Sequence, residues 1–306
     1  MPLTPDPRAD RFAARHHGLI TRAAALEAGL TRRQVDRRLL CGRWLLVGRG
    51  VYRVASATVT WQQRSLAACL AGSSGTVASH LTAAALHGLW TPPAKPHVIA
   101  GRLARGRSRL AIVHRIDLKG RDAQTIQGVP CTTATRTLID CAGLLSYARL
   151  CDVIDDAFCQ GLSHPIAVGN AIYGRRPVRG KTGIARLRIA LQAWTPGIEP
   201  GSRPEMRLLR QILDWGFAAP ESQIEIVDDG GMYVGRIDLG WPTRKVGVEY
   251  DGDRHHNPRG WDRDEDRQVQ YKASGWDVRR VDKYDLRPGV AWLREFLAEH
   301  LGRAAA

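Results

Sequence analysis

The sequence predicts an α/β chain, α+β overall, in three parts, and three observations carry that expectation. Within residues 1–56 two short helical stretches with a glycine between them precede a hairpin pattern, and residues 57–200 mix short helices with isolated strands. Residues 201–306 run in the order αβββαβα. At 306 residues the chain is also long for a single core.

In the first part, residues 23–28 read as a helix stopped by Gly29. Thr31-Arg32-Arg33-Gln34 is a capping box that starts a second helix running to about Leu40. Leu30, Val35 and Leu39 can face inward, which leaves Arg32, Arg33, Arg37 and Arg38 outside. Residues 44–54 read as a hairpin turning at Gly48-Arg49-Gly50, so the segment has the order of a winged helix-turn-helix. The functional reading puts the arginine-rich helix in the DNA major groove, with Arg49 and Arg53 on phosphate. A small module for protein contact, its arginines merely solvated, is the competing reading.

In the middle part, residues 61–71, 79–89, 132–145, 147–160 and 182–193 read as helices, with strands at 97–100 and 110–114. His80 and His87 share a helix face, but no third ligand has suitable spacing, so they read as packing or capping groups. Arg136 and Asp140, at i and i+4, read as an ordinary helical ion pair. Residues 173–181, basic and rich in Gly and Pro, read as part of the linker region, with phosphate contact as the secondary reading.

In the third part a helix at 203–216 carries Glu205 near its start, and strands follow near 222–228, 232–239 and 245–251. A helix at 261–274, a strand at 276–281 and a helix at 289–301 complete it. If residues 242–245 form a four-residue loop, Trp241 pairs with Val246, and counting outward sets Asp238 opposite Glu249. Glu249 and Asp251 share one face. Directly opposed carboxylates about 5 Å apart repel, and a hard cation such as magnesium would remove the penalty. A solvated acidic face, or neutralisation by Arg236 and Arg254, would do the same without a metal.

Charge is uneven. Residues 1–200 hold 28 Lys and Arg against 11 Asp and Glu, and residues 201–306 hold 17 against 19. A basic front joined to a carboxylate-bearing back suggests a polyanion-binding module attached to one that handles a cation. The six cysteines form no C-x-x-C pair and read as buried free thiols of a cytoplasmic protein. No apolar run approaches the roughly 18 residues needed for a membrane span, and residues 1–7 read as a loose leader without signal-peptide character.

Glu205, Asp238 and Glu249-x-Asp251 on successive elements resemble the PD-(D/E)xK nuclease core. Residues 236–239, 248–255 and 275–280 are more closely similar to an uncharacterised domain related to very-short-patch-repair endonucleases. Residues 26–30, 48–52, 84–88 and 135–140 resemble actinobacterial proteins with an AbiEi-type antitoxin N-terminal region. The nuclease resemblance implies a restriction-endonuclease-like fold and Mg2+ or Mn2+ held by Asp238 and Glu249 with Glu205 in support. It also implies phosphodiester hydrolysis at that metal. Where that pattern expects a lysine the chain has Asp251, which makes His255 the candidate base or transition-state stabiliser, with His256 as a rival and Arg267 or Lys272 as other sources of positive charge.

The expected function is magnesium-dependent DNA cleavage, with DNA as partner and neither membrane nor organic cofactor involved. The alternative is a non-catalytic antitoxin-like transcriptional regulator whose nuclease fold is degenerate and whose second partner is a toxin.

Overall fold

A computed structural model describes residues 5–104, 108–173, 183–194, 201–228, 230–250, 261–282, 284–286 and 291–302. The chain folds as two compact units, residues 1–146 with 162–184 and residues 147–161 with 185–306.

The first unit opens with helix α1 (Pro5–Arg15), strand β1 (Leu19–Thr21), helices α2 (Arg22–Glu27) and α3 (Arg32–Leu40), and the hairpin β2 (Trp44–Gly48) and β3 (Val51–Val54). The three strands pair in the order β1-β3-β2. Residues 1–7 are not all leader, because α1 begins at Pro5, where a missing N–H costs nothing in a first helical turn. Its Ala9 and Ala13, one turn apart, are buried against Ile20, Ala25, Val35, Trp44 and Tyr52.

Thr21 caps α2 by accepting from the Ala24 N–H, and Thr31 with Gln34 forms the expected reciprocal capping box on α3. Gly29, at φ +97°, supplies the left-handed turn between the two helices. Arg22 fixes their mutual position by donating to Asp36 on α3 at 3.0 Å and to the Tyr52 hydroxyl at 3.2 Å.

The remainder of this unit builds a second sheet. After α4 (Trp61–Leu70) come β4 (Val77–Ala78), α5 (His80–Leu86), β5 (His97–Ala100), β6 (Ile112–Arg115), β7 (Ala123–Ile126), β8 (Val129–Thr132) and α6 (Ala134–Cys141). The sheet order is β6-β5-β4-β8-β7, with β5–β6 and β4–β8 parallel and the other pairs antiparallel. Strands β4, β7 and β8 escape the sequence reading, β4 because two residues are too few to show a period. Leu19 and Val51 join Leu66, Val98 and Val129 in one core, so the winged segment and the second sheet share buried surface. Arg136 and Asp140 form the expected helical ion pair at 3.0 Å, but both are buried, and Arg136 also reaches Asp122 at 3.5 Å.

Helix α7 (Tyr147–Cys159), expected in the middle segment, folds with the second unit, while α8 (Pro165–Ile172) belongs to the first. The second unit continues with most of α9 (Gly183–Gln192), then α10 (Arg203–Asp214), β9 (Glu221–Val227), β10 (Tyr233–Trp241), β11 (Val246–Tyr250), α11 (Trp261–Ala273), β12 (Asp277–Val281) and α12 (Trp292–Leu301). From α10 onward this is the expected αβββαβα order.

Charge explains the placement of α7. Its Asp152, Asp155 and Asp156 meet Arg203, Arg207 and Arg210 of α10 at 2.6–3.0 Å, the arginines recurring at helical spacing on one face. The sheet order is β12-β11-β10-β9, with β11–β12 parallel. One core gathers Leu209, Leu239, Trp241, Val248 and Leu297, and another gathers Ile226, Ile237, Tyr271, Trp276 and Val278.

Candidate nucleic-acid interface and carboxylate cluster

Helix α3 has two unlike faces. Val35 is fully buried, and Leu39 packs against the same core. Arg32, Arg33 and Arg37 are exposed on the other side. Arg49 is exposed at the hairpin tip, where Gly50 takes φ +67°. Two of the expected DNA contacts are already engaged by the protein. Arg38 donates to the Gln34 carbonyl at 2.8 Å and lies 5.5 Å over the Trp44 ring, which makes it partly a packing residue. Arg53 donates to the Ala57 carbonyl at 2.5 Å and so secures the chain after β3. The exposed set is therefore Arg32, Arg33, Arg37 and Arg49, an arginine-rich helix followed by a basic hairpin tip.

In the second unit the register falls as the loop length dictates. Trp241 pairs with Val246 and Leu239 with Val248, and continuing that register sets Asp238 opposite Glu249. Residues 242–244 form a 3-10 turn, and Lys245, at φ +51°, takes the left-handed position that closes the hairpin. Glu205 lies in the first turn of α10 and is buried. Gln223 joins the sites: its amide donates to Glu205 Oε2 at 2.9 Å and to Asp238 Oδ1 at 3.4 Å. It does so from a strand position with φ +56°, a conformation that costs a non-glycine residue about 1 kcal/mol or more.

Burial, the Glu205 carboxylate and then Glu249 push Asp238 up to about 6, against the lowering effect of the Tyr250 N–H and Gln223. These carboxylates nevertheless have protein donors. Glu205 accepts from the Ser202 hydroxyl at 2.6 Å and the Gly201 N–H at 2.7 Å, and so caps its own helix. Asp238 accepts from the Tyr250 N–H at 2.8 Å. Glu249 accepts from the Tyr271 hydroxyl at 2.7 Å and pairs with Arg280 at 3.5 Å.

Tyr271 reaches Glu249 because residue 235 is glycine, where a Cβ would stand 2.5 Å from the Tyr271 hydroxyl. Burial and the adjacent Glu249 push the Tyr271 hydroxyl above its usual range. Among the described residues no three His, Cys, Asp or Glu side chains form a group that could hold a metal ion. Asp251 and His255, the other two expected site residues, lie outside the described residues. Arg267 lines a cavity of about 360 Å³ with Asp238 and Arg236, whereas Lys272 is exposed in the last turn of α11.

The first unit holds a second titratable cluster that the sequence spacing did not reveal. His80, on α5, stacks on His114 of β6 at 3.6 Å, and His97 of β5 shares a hydrogen bond with His114 at 3.0 Å. Burial, then His114, His97 and Arg136, drive His80 down to about 2, and burial with His97 drives His114 down to about 4. His87 caps α5 and bonds the Thr132 carbonyl at 2.9 Å, as a packing histidine should. No cysteine pairs with another, but Cys41 is exposed rather than buried.

A helix pair with a basic outer face, followed by a paired hairpin, is the architecture of a winged-helix nucleic-acid-binding module. Residues 7–55 match the family described as transcriptional regulator, AbiEi antitoxin, which covers this module and no more. No curated protein matches the chain. Among the described residues no helix is long and apolar enough to cross a membrane.

Proposed function

We propose that the chain is a DNA-binding transcriptional regulator of antitoxin type, with DNA read by α3, phosphate touched by Arg49, and a toxin as its second partner. The observation that carries this reading is the division of α3 into a buried Val35 face and an exposed Arg32, Arg33 and Arg37 face, inside the segment that matches antitoxin regulators. Retardation of a labelled fragment of the gene's own promoter tests it. Saturable binding, with competition by unlabelled promoter at lower concentration than by random duplex, is the expected result. Equal competition by the two duplexes removes the regulatory role.

One observation favours a second reading, magnesium- or manganese-dependent DNA hydrolysis by the second unit. Asp238 is held between Glu205 and Glu249 at a cost in electrostatic energy, within an αβββαβα order. Incubation of plasmid DNA with the purified chain and either metal distinguishes the two readings. Nicking that disappears in Glu249→Ala while binding survives establishes the enzyme, and intact plasmid throughout leaves the regulator alone.

A further inference from the structure

A cavity of about 920 Å³ lies in the first unit and uses the β2–β3 hairpin as one wall. Its volume falls in the range of small-molecule sites. Its other walls come from the end of α4, the strands β5 and β6, and the segment that precedes β6. Leu70, Val98, Leu110 and Val113 give it an apolar surface, and Arg49, Arg109 and Arg115 give it three positive charges with no carboxylate among the described lining residues.

The three arginines are exposed at the rim, and Arg115 is steadied by its bond to the Ala104 carbonyl at 3.0 Å. This combination differs from a plain phosphate contact, which needs no apolar floor. It also differs from an unfilled core defect, which would carry no charge. The hairpin wall is closely seated: a Cβ at Gly48 would stand 2.8 Å from both Ala71 and Leu110.

We infer that this cavity binds a small organic anion, an acid group on an apolar or aromatic body. The acid group lies among Arg49, Arg109 and Arg115, and the body rests on the leucine and valine floor. Because the same hairpin carries Arg49, an occupant contacts the element proposed to touch DNA.

Fluorescence titration of the full chain with 1-anilinonaphthalene-8-sulfonate, an aromatic sulfonate of suitable chemistry, tests the site. The expected result is saturable binding to the folded protein, weakened about tenfold in Arg109→Ala, because one charge-assisted contact is lost. Ala71→Trp, which fills the floor, abolishes binding while the unfolding transition remains cooperative. If Ala71→Trp does not fold, Arg109→Ala decides alone, since Arg109 is exposed and its removal disturbs no core.

Dye binding that is unsaturable, or unchanged in Arg109→Ala, overturns the inference. So does a variant that leaves the dye untouched but lowers promoter affinity and reduces the salt slope by about one, because Arg109 would then be a phosphate contact.

Discussion

The histidine cluster of the first unit and the carboxylate cluster of the second are built on the same electrostatic problem and answer it in opposite directions. Each gathers like-charging groups in a partly desolvated place. His80 and His114 are pushed down and stay neutral, whereas Asp238 is pushed up to about 6. Stability therefore depends on pH with opposite sign in the two regions. The histidine contribution is fully present above about pH 6.5 and is lost as the pH falls toward the folded values. The Asp238 contribution is fully present below about pH 3.8 and is lost as the pH rises through about 6.

A packed histidine cluster needs no ligand to reach its best state at neutral pH. The carboxylate cluster retains a cost there, and the donors on Gln223, Tyr250 and Tyr271 only reduce it.

Acidification should produce the largest effect. Lowering the pH from 7.5 to 4.5 should remove about 4 kcal/mol from the first unit, followed by urea midpoints with a probe in that unit, and His114→Gln should remove roughly half of this dependence. A first unit equally stable at both pH values would break the comparison on the histidine side.

Asp238→Asn comes next. It should stabilise the second unit by about 2 kcal/mol at pH 8 and by almost nothing at pH 3.5, because the neutral amide keeps the Tyr250 N–H contact without the repulsion. A loss of stability at pH 8 would mean that the carboxylate is needed in its charged form.

Gly235→Ala should have the smallest effect, a destabilisation of about 1–2 kcal/mol from the clash with Tyr271. It should also displace the Tyr271 hydroxyl from Glu249, seen as a downward move of the tyrosine titration. An unmoved titration would separate Tyr271 from the cluster.

Much of α3 was legible in the sequence, because its signals are local. Thr31 and Gln34 lie one turn apart, Gly29 sits at the break, and Val35 and Leu39 follow the helical period. The pairing of Trp241 with Val246 was legible for the same reason, since loop length sets hairpin register.

The histidine cluster was not legible, as its members come from three elements and meet only when β5 and β6 pair. Nor was the satisfaction of the carboxylates. Gln223 and Tyr271 carry no motif, and Gln223 takes a left-handed backbone that its residue type does not announce. The contacts of Arg38 and Arg53 within the protein are not legible, because counting charges on a helix or hairpin does not reveal a Trp44 ring or an Ala57 carbonyl within reach. Helix α7 was assigned by sequence adjacency, whereas its aspartates pair with arginines about 55 residues away.

The central claim is that α3 binds DNA through its exposed arginines, and the salt dependence of promoter affinity tests it most directly. Wild type and Arg33→Ala/Arg37→Ala are titrated with the same fragment over a series of salt concentrations. The double variant should bind more weakly and give a plot of log affinity against log salt shallower by about two, one for each lost phosphate or groove contact. Unchanged affinity with an unchanged slope would contradict it.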